Sequence, residues 1–161
     1  MYNNKILRTK KTKVTEEDLK EIERTYNFIF PESFKKHYLM YNGGRPERNM
    51  VINKEDENNL IPFTYFYAIK RDEGEKGTDL KKMLKTNFDE DSIFPKWLVR
   101  FADDGVGGEY CWSLKKEEYG AIYYWDCDVN LGADPNKTDD YAIFLSDSLE
   151  EFINAMVEDE D

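Results

Sequence analysis

The sequence predicts a small α+β binding module, and three observations predict it. An early pair of helices ends in Tyr41-Asn42-Gly43-Gly44. An acidic glycine loop, Phe101 to Tyr110, feeds an alternating hairpin whose return strand is Gly120-Ala121-Ile122-Tyr123-Tyr124-Trp125-Asp126. An amphipathic helix beginning at Ser148 closes the chain. No single piece carries chemistry. With 161 residues and nothing that reads as a linker, the chain fits one domain. Residues 1–13 read as a basic N-terminal arm, mobile or starting with a short strand, and 14–161 as the domain.

Thr15 opens the first helix with a capping box to Asp18, and Val14 and Leu19 form a hydrophobic staple across it. Leu19, Ile22 and Tyr26 then recur as one buried stripe. Pro31 sits where a helix's first turn tolerates proline. Phe34, Tyr38 and Tyr41 recur at i, i+4 and i+7, and Asn42-Gly43 ends the helix, since both residues tolerate the left-handed conformation. The spacing predicts that these two helices form an antiparallel pair. Residues 45–60 read as a polar loop with a short strand at Met50–Ile52. Residues 61–69 are rich in β-formers and read as a strand region, with Pro62 at its start or on an edge. A weaker helix follows near 78–87, then a strand over 97–102.

The hairpin from Glu109 to Asp126 alternates. Tyr110, Trp112 and Leu114 share one face, and Glu109, Cys111 and Ser113 the other. Both faces of the return strand are apolar or aromatic, which predicts a central strand. Residues 128–140 read as an acidic loop and 141–145 as the last strand. Ser148 and Glu151 form a second capping box. Leu149, Phe152, Ile153, Met156 and Val157 continue it as an amphipathic stripe. The acidic tail 158–161 opposes the helix macrodipole and is expected to fray.

Composition excludes several classes. With 34 acids against 23 bases the net charge is −11. Lys5, Arg8, Lys10, Lys11 and Lys13 sit in the arm without an acid, so the body is more acidic still. Such a body repels phosphate backbones, which disfavours direct nucleic-acid binding, and steers a basic partner. Plain solubility also favours charge far from zero. No stretch approaches the ~20 apolar residues of a membrane span. The N-terminus lacks the apolar core of a signal peptide, so a cytoplasmic protein is expected. Cys111 faces the middle of the return strand rather than Cys127, which predicts two reduced structural thiols.

Candidate chemistry is sparse. His37 is the only histidine and reads as a packing or surface residue. The start of residues 126–132 resembles a calcium loop, but its glycine comes one residue late and Lys137 stands where Glu is required. Gly105-Val106-Gly107-Gly108 leads into a strand and is flanked by Asp103, Asp104 and Glu109, unlike a phosphate cradle. It is either an ordinary turn or a rigid acidic knob facing a basic partner. Adjacent acids in loops are usually solvated surface rather than a tuned catalytic pair. Neither a catalytic set nor a cofactor or metal site is expected.

The order of these signatures resembles the SUKH superfamily, named partly for the yeast Smi and Knr cell-wall regulators. The resemblance spans about residues 14–157. Pro31, Phe34, Lys35, Leu39, Asn42, Gly43 and Gly44 match the second helix and its turn. Phe101, Asp103, Gly107, Gly108, Tyr110 and Leu114 match the loop and the strand after it. Gly120, Ile122, Tyr124, Trp125 and Asp126 match the aromatic strand, and Ser148 and Phe152 the last helix. Glu109 and Ser113 stand where the family often has Asp. The resemblance implies a single SUKH-like α+β domain with helices on a mixed, mostly antiparallel sheet. It also implies an immunity protein that binds and neutralises a cognate bacterial toxin without a cofactor. A nuclease toxin with a basic groove suits the acidic body. The expected contact residues are Asp103, Asp104, Glu109, Tyr110, Asp126, Asp128, Asp139 and Asp140. The alternative is a non-catalytic regulatory or scaffold module of the Smi/Knr type that binds an endogenous protein.

Overall fold

The computed structural model describes residues 2–75, 79–127 and 141–159. Helix α1 (Glu16–Tyr26) begins with the capping box its spacing predicts. The Thr15 hydroxyl accepts from the Asp18 amide, and the Asp18 carboxylate accepts from the Thr15 amide. Helix α2 (Glu32–Tyr41) starts behind Pro31, whose carbonyl accepts from the amides of Phe34 and Lys35. It stops at Asn42, which is left-handed at φ 48°. The buried Asn42 side chain donates to the carbonyls of Thr12 and Lys70 and accepts from the amides of Ile69 and Lys70. One helix cap therefore ties three segments together.

Gly44 follows at φ 80°, and a Cβ there would lie 2.7 Å from Ile6 Cγ2 and 2.9 Å from the Leu7 carbonyl oxygen. That close approach lets β1 (Ile6–Leu7) pair antiparallel with β2 (Arg45–Pro46). Asn4 and Ile6 are buried, so the arm packs onto the body from its fourth residue. A second two-stranded sheet pairs β3 (Met50–Ile52) with β4 (Leu60–Pro62). The strand expected over 61–69 is shorter than its composition suggests. Only its first two residues belong to β4, and the rest is irregular. Residues 66–69 are buried consecutively, which a regular half-exposed strand does not permit. The amides of Thr64, Phe66 and Tyr67 go instead to the carbonyls of Asp103, Gly44 and Phe101.

Helix α3 (Leu80–Asn87) is capped by Asp79, whose carboxylate accepts from the amides of Lys81 and Lys82. Four antiparallel strands form the main sheet in sequence order: β5 (Leu98–Asp103), β6 (Gly108–Ser113), β7 (Ile122–Asp126) and β8 (Ala142–Ser146). As its two apolar faces require, β7 is interior. Every named strand pair is antiparallel, and a parallel bridge joins Ala68 to Asp79. One sheet face, with Phe101, Tyr110, Trp112, Ile122 and Tyr124, packs on Phe34, Tyr38, Leu149, Phe152 and Ile153. The other face buries Leu98, Cys111 and Trp125 beside Phe94. Cys111 pairs in register with Tyr123.

Two expectations are corrected at the helices. Helix α2 packs more closely against α4 (Leu149–Ala155) than against α1, which it meets through the Glu23–Lys35 ion pair at 3.7 Å. The end of α1 reaches α3, with Tyr26 stacked on Phe88 at 5.4 Å, and Phe28 edges onto Trp112. The Ser148 hydroxyl caps α4 by accepting from the Glu151 amide, but the helix ends before Met156 and Val157. Met156 is extended, and Val157 exchanges two backbone bonds with Met50. Strand β3 thus captures the chain that the apolar stripe would have kept helical. Arg48 seals the junction by donating to the carbonyls of Met156, Asn154 and Asn3. Among the described residues, no helix is long and apolar enough to cross a membrane.

Candidate functional site: a braced acidic loop

The β5–β6 loop is held from inside by its own acids. Asp104, only 6% exposed, accepts from the amides of Val106 and Gly108 at 2.8 Å each and from the Tyr124 hydroxyl at 2.6 Å. Three donors replace its water shell. Asp103 accepts from the Gly105 amide (2.9 Å), the Thr64 hydroxyl (2.9 Å) and the Tyr67 hydroxyl (3.0 Å). Gly105 and Gly107 adopt φ 84° and 104°, as the tight turn requires. A Cβ on Gly108 would lie 2.1 Å from the Tyr124 oxygen and 2.4 Å from Asp104 Oδ2.

The Tyr67 hydroxyl also reaches Glu109 at 2.6 Å. A phenol has one proton to give, so it cannot donate to both carboxylates at once. Burial pushes Glu109 up to about 7, against the pull of Tyr67 and Arg100. Once protonated, Glu109 donates to the Tyr67 oxygen and frees the phenol proton for Asp103. Arg100 lies behind this group, with Nη1 3.5 Å from Glu109 and Nη2 donating to the Met83 carbonyl. Its guanidinium stands 4.6 Å over the Phe94 ring.

The predicted residues separate under this geometry. Asp103, Asp104, Glu109 and Asp126 meet at one end of the sheet. Asp126 pairs with Gly108, and the Cys127 amide donates to the Gly107 carbonyl. Asp104 and Tyr110 do not form the exposed acidic knob. Tyr110 is fully buried against Phe63 and Phe152, and its hydroxyl donates to the Pro62 carbonyl. The loop presents Gly105, Val106 and Gly107 to solvent, with Val106 76% exposed. Asp128, Asp139, Asp140 and most of the calcium-like segment lie outside the described residues.

Sequence reasoning missed Thr64, Tyr67 and Arg100. Thr64 and Tyr67 lie 36 to 42 residues from their acidic partners, and nothing local marks them. His37 is a packing residue. It stacks on Phe66 at 3.8 Å, its Nε2 is 2.8 Å from the Gly43 carbonyl, and its Nδ1 is 3.0 Å from the Tyr2 hydroxyl. A neutral ring satisfies both, donating from Nε2 and accepting at Nδ1. Burial lowers its pKa to about 4. Among the described residues, no group of three His, Cys, Asp or Glu side chains could hold a metal ion.

These features define a single α+β domain whose glycine loop is fixed by internal carboxylate bonds. The chain belongs to the SMI1 / KNR4 family (SUKH-1), whose model matches residues 13–155. No curated protein matches the chain.

Proposed function

We propose that this chain is an immunity protein that binds a cognate bacterial toxin, a nuclease, and neutralises it by covering its active surface. The carrying observation is the excess of 34 acids over 23 bases in a chain of this family. An acidic surface can occupy a basic groove in place of a phosphate backbone and speeds encounter by long-range steering. The rigid loop supports the reading, since a preorganised element loses little entropy on binding. The partner's cations would meet the rim made by Asp103 and Asp126, with Val106 as the apolar tip and Glu109 bracing the rim from behind. Asp128, Asp139 and Asp140 of the following acidic segment extend that surface. Inhibition needs no catalytic group and no cofactor, and the action is cytoplasmic.

The test is co-expression with the candidate toxin gene beside this one, with growth as the readout. The wild-type chain is expected to restore growth, and Val106→Asp and Asp126→Lys to weaken rescue while folding normally. Asp104→Lys reads folding rather than binding, because Asp104 is internal. Growth that stays arrested with abundant folded wild-type chain overturns the reading and favours a regulatory module of the Smi/Knr type.

A further inference from the structure

We propose that a basic cleft between the N-terminal arm and residues 64–71 binds the phosphate group of a small phosphorylated molecule. The cleft has a volume of about 270 Å³ and is lined by Arg8, Lys10, Arg45, Arg71, Tyr65 and Glu75, among others. Four cations thus share one depression on a chain of net charge −11. Among the described residues Glu75 is the one acid in the lining, and it is already paired with Lys10. Asp72, next to Arg71, is engaged by the backbone amides of Lys11 and Thr12, from which its carboxylate accepts.

The second observation concerns the arginines themselves. The Nε atoms of Arg45 and Arg71 are buried and have no hydrogen-bond partner among the described residues. A buried donor without a partner is unfavourable, and more so when it is charged. Two such guanidiniums lining one cleft also repel each other. An anion in the cleft offsets that clustered charge, and a phosphate offers several acceptors to the planar guanidinium fork. Backbone geometry holds the arrangement. Arg45 pairs with Leu7 in the β1–β2 ladder, Phe66 donates its amide to the Gly44 carbonyl, and the Lys10 amide donates to the Tyr41 carbonyl. The ring of Tyr65, 42% exposed, sits in the same lining and suits a ligand whose phosphate carries a ring. The cleft adjoins the acidic loop through Thr64, which lines it and donates to Asp103, but its cations take no part in the proposed toxin contact.

Isothermal titration with sodium pyrophosphate and with a nucleoside triphosphate, at low and constant ionic strength, tests the proposal on the full chain. Saturable binding of one equivalent is expected, weakened at least tenfold in Arg45→Gln/Arg71→Gln and tightened in Glu75→Gln, which frees Lys10. Arg45→Lys/Arg71→Lys keeps the charge but loses the fork, so it is expected to fall between wild type and the glutamine pair. Tighter binding of the nucleotide, reduced by Tyr65→Ala, assigns a ring-bearing ligand, while equal binding assigns the bare phosphate group. Each variant is paired with its circular dichroism spectrum, and Glu75→Gln lies outside the core should the arginine pair misfold. Absence of saturable binding to the wild type, or binding unchanged in a folded Arg45→Gln/Arg71→Gln chain, overturns the proposal.

Discussion

Gly108→Ala tests how the acidic loop is held. Gly108 does not need a left-handed backbone, so the case against a side chain is purely steric. The added methyl would sit 2.1 Å from the Tyr124 oxygen and 2.5 Å from Tyr124 Cε1, with Asp104 Oδ2 at 2.4 Å. Tyr124 is confined by Tyr110 at 5.4 Å, and Asp104 by its two amide donors, so neither yields without breaking their mutual 2.6 Å bond. Overpacking costs about 1–3 kcal/mol. A lost hydrogen bond to a charged group adds about 1.5–3 kcal/mol. The smaller unfolded-state entropy of alanine returns roughly 0.5 kcal/mol. The net destabilisation is about 4 kcal/mol, which at roughly 2–4 °C per kcal/mol lowers Tm by on the order of 8–16 °C. Thermal unfolding followed by circular dichroism reads this directly. In a Tyr124→Phe background the same substitution should cost less, because the bond it breaks is already gone. A Gly108→Ala protein that melts within about 2 °C of wild type would refute the steric argument.

Three further outcomes follow from other parts of the molecule. Glu109, raised to about 7, is protonated more readily folded than unfolded, so its contribution is present at acid pH and is lost as pH rises from about 4.5 to 7. His37, lowered to about 4, does the reverse, its contribution being lost as pH falls from about 6.5 to 4. The two slopes, up to about 1.4 kcal/mol per pH unit each, oppose one another between about pH 4.5 and 6.5. Urea titrations should therefore show a flat wild type there, a fall toward acid in Glu109→Gln, and a rise toward acid in His37→Gln. Arg48→Ala should cost about 2–3 kcal/mol, because the carbonyls of Met156, Asn154 and Asn3 lose one shared donor, and hydrogen exchange at the end of α4 should accelerate. Asn42→Ala should be less stable than Asn42→Gly by about 1 kcal/mol in denaturant melts, since only alanine adds left-handed strain to the lost side-chain bonds.

The local signals in the sequence were reliable where the cause was local. Thr15 with Asp18, Ser148 with Glu151, and Asn42 ahead of two glycines each fixed a helix end by contacts within a few residues. The two apolar faces of β7 announced an interior strand. Signals failed where distant chain competed. Val157 is drawn from the α4 stripe into a bridge with Met50, and Thr64, Phe66 and Tyr67 give their amides to carbonyls of Gly44 and β5. The site was half legible. Loop acids were visible as acids, but whether an aspartate faces water depends on Tyr124, Thr64 and Tyr67, which come from other segments. Asp104 and Tyr110 look like surface candidates in the sequence and are interior in the fold.

Neutralisation of a toxin by binding can be read in an inhibition titration. The protein captured from the native host's lysate by this chain, identified by mass spectrometry, would be purified and assayed for nuclease activity against increasing amounts of the chain. Complete loss of activity is expected at one equivalent, with an association rate that falls steeply as salt is raised. Full activity in the presence of bound chain, or a captured partner without toxic activity, would contradict it.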